Sequence, residues 1–166
     1  MKKLCLLLVS LIAVSVILCA CSGGAGGAGG HTPQSTKSLA EVFKTIRDKV
    51  DIKDFNEFNS GDSLDLFYGI TAKQMDDYAG GINSTGTNQE EIVLIKARDS
   101  AAAKEIRQAL EKRYESKQAQ NKNYNPKQAA MVEQCKPEQF DLYVTMIVSP
   151  HAAEITDIFK SELNLG

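Results

Sequence analysis

Two side chains in this sequence have the types needed for nucleophilic chemistry at positions that one hairpin could bring together: Cys135 and His151. An imidazole within hydrogen-bond reach of a thiol can take its proton and leave an attacking thiolate. Against the pairing, a histidine in the first turn after Ser149-Pro150 normally faces water, and its protonated form would meet the positive end of the helix. A lone thiol is more commonly a small buried hydrophobe. Metal ligation fares worse, because zinc wants three or four Cys, His or carboxylate ligands. Beyond residue 37 the chain has one cysteine and one histidine. Asp62 and Asp65 lack the spacing of a calcium-binding loop and read as a solvated turn. Asp76-Asp77, read on a helix, would point about 100° apart and share no proton. Gly80-Gly81 could cradle an anion with consecutive N–H groups, but it reads better as a helix end. Neither GxxxxGK[ST] nor GxGxxG occurs. The sequence therefore assigns no catalytic, cofactor-binding or metal-binding residue. Cys135 is expected to be buried.

The elements that would have to position these residues follow from periodicity. Ser38 and Glu41 form a capping box, and Leu39, Val42, Phe43, Ile46 and Val50 fall on one helical face over 39–50. Leu64 to Tyr68 reads as a short strand or buried crossing. Thr71 and Gln74 look like a second capping box, so a helix is expected over 72–79, followed by a strand over 82–86. Glu91 to Ala97 is the clearest strand, apolar on both faces. A long helix opens at Asp99 or Ser100, with Ala103, Ile106, Leu110 and Tyr114 as its buried stripe, which fades after Tyr114. Strands over 130–136 and 140–148 suggest a hairpin turning at 136–139. Pro150 then starts a last helix, with Ala152, Ile155 and Phe159 inward. The expected class is α+β, an antiparallel sheet of about four strands with helices on one face, in the order α-α-β-β-α-β-β-α.

The 166 residues divide unevenly. Lys2 and Lys3 precede an apolar run over residues 4–18, shorter than the roughly 20 residues of a spanning helix, so residues 1–20 read as a signal peptide. Leu18-Cys19-Ala20-Cys21 resembles a bacterial lipobox. The resemblance implies lipidation of Cys21 and cleavage before it. Acyl chains stabilise membrane contact by about 0.8 kcal/mol per buried methylene. Six of the twelve glycines lie in residues 22–30, so residues 21–37 read as the lipidated cysteine and a flexible tether. Such a tether reaches roughly 20–25 Å, and His31 belongs to it. Residues 38–166 form a single domain. Loss of the leader would leave 17 basic against 21 acidic side chains, which excludes a strongly basic nucleic-acid binder. With aromatics at 7% and no tryptophan, a stacking platform is unlike this composition.

Several stretches carry a family resemblance: Phe67-Tyr68-Gly69-Ile70, Met75 to Ile82, Glu90 to Ala97, Ala109 to Arg113 and Tyr143 to Ser149. Together, over roughly 39–163, they resemble a bacterial lipoprotein family, mostly of Gram-positive organisms, known as a domain of unknown function. The resemblance implies export and lipidation and brings no activity or site residues with it. In such a lipoprotein the sequon Asn83-Ser84-Thr85 carries no glycosylation meaning. The expected role is a non-enzymatic binding or accessory module on the extracytoplasmic face of the cell membrane. Its partners would be the membrane, through the anchor, and an envelope protein or wall component. The alternative is a small-ligand-binding lipoprotein associated with a transporter.

Overall fold

A computed structural model describes residues 35–166, except the side chains of residues 123 and 124. The expected leader, Cys21, His31 and most of the tether lie outside the described residues. The elements run α1 (Leu39–Lys49), β1 (Phe55–Glu57), α2 (Gly61–Tyr68), β2 (Met75–Asn83), β3 (Glu91–Ala97), α3 (Ser100–Tyr124), α4 (Pro126–Glu133), β4 (Glu138–Phe140), β5 (Tyr143–Val148) and α5 (Ala152–Leu163). Five strands form one antiparallel sheet in the order β1-β2-β3-β5-β4. Among the described residues no helix is long and apolar enough to cross a membrane.

Strand β3 sits at the centre because an uninterrupted apolar run leaves neither face for water. Val93, Ile95 and Ala97 join Ile106 and Leu110 of α3 and Leu64 of α2 in one core. Ile92 and Leu94 join α1 and α5, through Val42, Ile46, Ile155 and Phe159, in a second core. Each such side chain contributes about 1.5–3 kcal/mol on burial. The α+β class is as expected. Two details differ: the sheet has five strands, and helices cover both of its faces. The doubly buried β3 and β5 are the reason, since one helical layer would leave half of their apolar side chains in water.

Helix α1 has the capping box read from the sequence, with Ser38 and Glu41 bonded reciprocally. Its Leu39 N–H donates to Asp77 Oδ2 at 2.7 Å, which ties the helix start to β2. Three expected elements are wrong in type. Residues 64–68 belong to α2, because Leu64 and Tyr68 are one helical turn apart and both buried, and Gly69 ends the helix in the left-handed conformation at φ 69°. Residues 75–83 are strand. Thr71 and Gln74 do bond each other, but they close a single turn. Residues 126–133 are helix, since Asn125 caps it and Pro126 occupies the first turn. The β4–β5 hairpin turns at Asp141, which adopts φ 54°, so the stretch read as its turn supplies part of β4.

Gly80 and Gly81 therefore end no helix and form no anion nest. They lie in β2, flanked by β1 and β3. A Cβ on Gly81 would stand 2.5 Å from Asn56 O. One on Gly80 would stand 2.8 Å from the carbonyl carbon of Ile92, and closer still to its oxygen, at a φ of 127°. Gly86 has a positive φ of 74° but open space around it. Gly80→Ala is expected to cost more than about 3 kcal/mol, combining strain and overlap. Gly86→Ala should cost about 1–2 kcal/mol from conformation alone. Urea unfolding of the two variants checks the difference.

Candidate functional site

The most unusual chemistry is a buried charge cluster at the start of β3. Glu91 is fully buried, and the strand's two-residue period turns it toward α3 together with Val93 and Ile95. Arg113 grips its carboxylate with two bonds, Nε to Oε1 at 3.1 Å and an Nη to Oε2 at 2.9 Å. Lys117 Nζ lies 2.8 Å from Oε2 and also donates to the Gln89 carbonyl at 3.0 Å. Tyr68 donates its hydroxyl to Oε1 at 2.9 Å. The Arg113 guanidinium stands 5.9 Å from the Tyr68 ring centre, within cation–π range.

Helix α3 runs on past Tyr114 because its buried stripe turns polar there. Lys117 and Asn121 continue the spacing of Leu110 and Tyr114 and are themselves buried. Asn121 Nδ2 donates to Lys117 O at 2.8 Å. Tyr114 donates to Glu133 O at 3.0 Å, which docks α4 on α3.

Burial pushes the Glu91 carboxyl upward, but the Arg113 hydrogen bonds and the charges of Lys117 and Arg113 outweigh it and hold it below the ordinary value. Burial pushes Lys117 down, against the pull of Glu91. Tyr68 is pushed far up, first by burial and then by the Glu91 charge. A carboxylate held ionised in this way is a poor proton acceptor, and a phenol so raised is a poor donor of its proton. The cluster suits anchoring better than acid–base work.

The residues singled out in the sequence are dispersed. Cys135 is 5% exposed, its Sγ lies 3.8 Å from Ser149 O, and burial pushes its thiol up. His151 is the N-cap residue of α5, and its Nδ1 stands 3.8 Å from Glu154. The thiol is thus turned to a backbone carbonyl and the imidazole to the helix's own surface. Asp62 and Asp65 are exposed on α2. Asp76 pairs with Arg98 at 3.4 Å, and Asp77 serves α1. Asn83, 8% exposed, accepts from Thr85 and donates to Lys53 O, closing the end of β2. Among the described residues no three His, Cys, Asp or Glu side chains are grouped to hold a metal ion.

Beside the cluster, a groove of about 430 Å³ separates the end of α2 from α3 and is lined by Phe67, Lys112 and Arg113 among others. Phe67 lines it and is 47% exposed, Leu66 before it on α2 is 80% exposed, and their neighbour Tyr68 is held inward by Glu91.

A three-layer α+β domain with an ionised glutamate locked at its centre is the class that fold and cluster define. The chain belongs to the family described as a domain of unknown function (DUF4358), whose model matches residues 48–149. No curated protein and no solved structure matches it. The match is shorter than the 39–163 of the sequence resemblance. It holds all five strands, the Glu91 cluster and Cys135, and leaves out most of α1 and all of α5.

Glu91→Gln would leave Arg113 and Lys117 buried beside a neutral amide. The expected loss is about 3–5 kcal/mol of stability, measured by denaturant unfolding near neutral pH. Because the folded-state pKa of Glu91 lies below its ordinary 4.5, its contribution is complete above that value and fades as pH falls through the depressed one. The variant should therefore lose part of the acid-side decline of stability seen in the wild type. For Cys135, iodoacetamide labelling should be slow in the native protein and fast in denaturant.

Proposed function

We propose that the protein is a membrane-anchored extracytoplasmic lipoprotein, of a mostly Gram-positive kind, whose domain is a non-enzymatic binding module for a protein of the cell envelope. The observation that carries this reading is the exposed pair Leu66 and Phe67 on α2. Large apolar side chains left exposed beside a groove are the usual anchors of a protein contact. Lys112 lines the same groove and favours a partner with a carboxylate at its rim. Tethering supports the reading as well. The leader, the lipobox-like Leu18 to Cys21 and the glycine-rich segment would hold the domain within about 25 Å of the membrane surface. The burial of Cys135 and the outward position of His151 favour binding over thiol catalysis.

A photo-crosslinker placed at Leu66 in intact cells should give one discrete adduct with an envelope protein. The same group at Lys44, exposed on α1 across the sheet, should give none. Phe67→Asp should abolish the Leu66 adduct without unfolding the domain. Cys21→Ala should release the protein from the membrane fraction. Equal adducts from both faces, or an adduct indifferent to Phe67→Asp, would contradict the reading.

A further inference from the structure

Two adjoining cavities, about 600 and 320 Å³, form one furrow along the start of α5, the larger facing α4 and the smaller facing β4 and β5. They share a floor of Gln134, Cys135, Ala152 and Ala153. The larger has the size of ordinary small-ligand sites. Three independent features of the furrow ask for a ligand with both a carboxylate and an ammonium.

The first is the start of α5. A 12-residue helix begins at the furrow floor, and its N-cap residue His151 makes no side-chain cap bond. The Ala152 N–H is taken by Ser149 O at 3.2 Å. Among the described residues the Ala153 N–H that follows it has no acceptor. Such N–H groups, at the positive end of a helix, bind carboxylates.

The second is Thr145. It is 2% exposed in the middle of β5, whose other five side chains are apolar, and it lines the smaller cavity with Ala152 and Ala153. Its hydroxyl makes no hydrogen bond among the described residues, and because none of their buried side-chain polar atoms lacks a partner, this hydroxyl is open to the cavity it lines. An oxygen seated on the start of α5 would lie in the same cavity.

The third is Glu90. Ser149 Oγ donates to its Oε1 at 3.1 Å and Asn88 Nδ2 to its Oε2 at 2.5 Å. Two neutral donors thus hold the carboxylate in the larger cavity, and none of the ion pairs among the described residues includes it, although Lys127 borders the same cavity. A carboxylate so fixed suits an incoming ammonium. The smaller cavity is bordered by Lys136 but also by Glu138 and Asp157, which disfavours a bare anion and is compatible with a zwitterion.

We propose that the furrow along the start of α5 binds a short peptide with free termini, its carboxylate on the Ala153 N–H and the Thr145 hydroxyl and its ammonium toward Glu90. Gln128 and Gln134, on the furrow walls, supply amides for the peptide bond. The site is independent of the α2 surface and stands or falls without it. A wall fragment and a free peptide share this chemistry, and the configuration of the residues separates the two sources.

Calorimetric titration of the full-length protein with alanyl-alanine tests the site. The D,D and L,L forms, the N-acetyl derivative and the C-terminal amide are run in parallel. Binding is expected for a free dipeptide, with either blocked form at least tenfold weaker. Preference for the D,D form assigns the wall, and preference for the L,L form assigns free peptides. Thr145→Val, nearly the same shape, should weaken binding about three- to tenfold, the effect of one hydrogen bond, with an unchanged Tm. Glu90→Gln should abolish the discrimination against the N-acetyl form. No heat at millimolar dipeptide, equal binding of the blocked forms, or full binding by both variants would overturn the proposal.

Discussion

One buried carboxylate organises this domain. Glu91 opens the central strand, and three side chains from two helices converge on it. An ionised group there is tolerable only because Arg113, Lys117 and Tyr68 replace the water it has lost. That requirement fixes the rotation of α3 and the end of α2 against the sheet. It also explains why α3 keeps a buried face where its apolar residues stop. The cluster's cations are committed to the carboxylate and to the Gln89 carbonyl, and its phenol to the same carboxylate.

The two surfaces that remain for binding are consequences of the same frame. Tyr68 is drawn inward to Glu91, and its helix neighbours Leu66 and Phe67 are turned out. Glu91 enters the core on the α3 side, while Glu90, the residue just before β3, is held by Ser149 at the edge of the furrow. Adjacent glutamates thus serve unlike purposes: one is neutralised in the core, and one is held beside an open furrow. The glycine pair of β2 allows the outer half of the sheet to close against β3 on one side and β1 on the other.

Much of the fold was legible in the sequence. The α1 capping box, the strand over 91–97, the Asp99 cap of α3 and the inward face of α5 all appear where periodicity and caps put them. The apolar continuity of β3 already implied cover on both faces, and the expectation of a one-sided helical layer ignored it. Residues 72–79 misled because a genuine Thr71–Gln74 turn precedes them, and because Gly-Gly can mean a close approach of strands as well as a helix end. Where a strand over 130–136 was expected, residues 126–133 are helix because Asn125 caps it and Pro126 opens its first turn. The Glu91 cluster was the hardest to see, since its members are far apart in the chain. One signal was available: Lys117 and Asn121 fall in step with Leu110 and Tyr114, so the buried stripe continued in polar residues.

The ionised state of Glu91 is the claim on which this account rests, and it can be read directly. Carbon-13 labelling of the glutamate carboxyls, with Glu91 assigned by its loss in Glu91→Gln, gives the titration of that one group. The account predicts a midpoint below the ordinary 4.5, with the carboxylate signal persisting until the protein begins to unfold in acid. A midpoint above that value would mean that burial outweighs Arg113 and Lys117, and that a neutral glutamic acid, not a bound anion, occupies the centre of the domain.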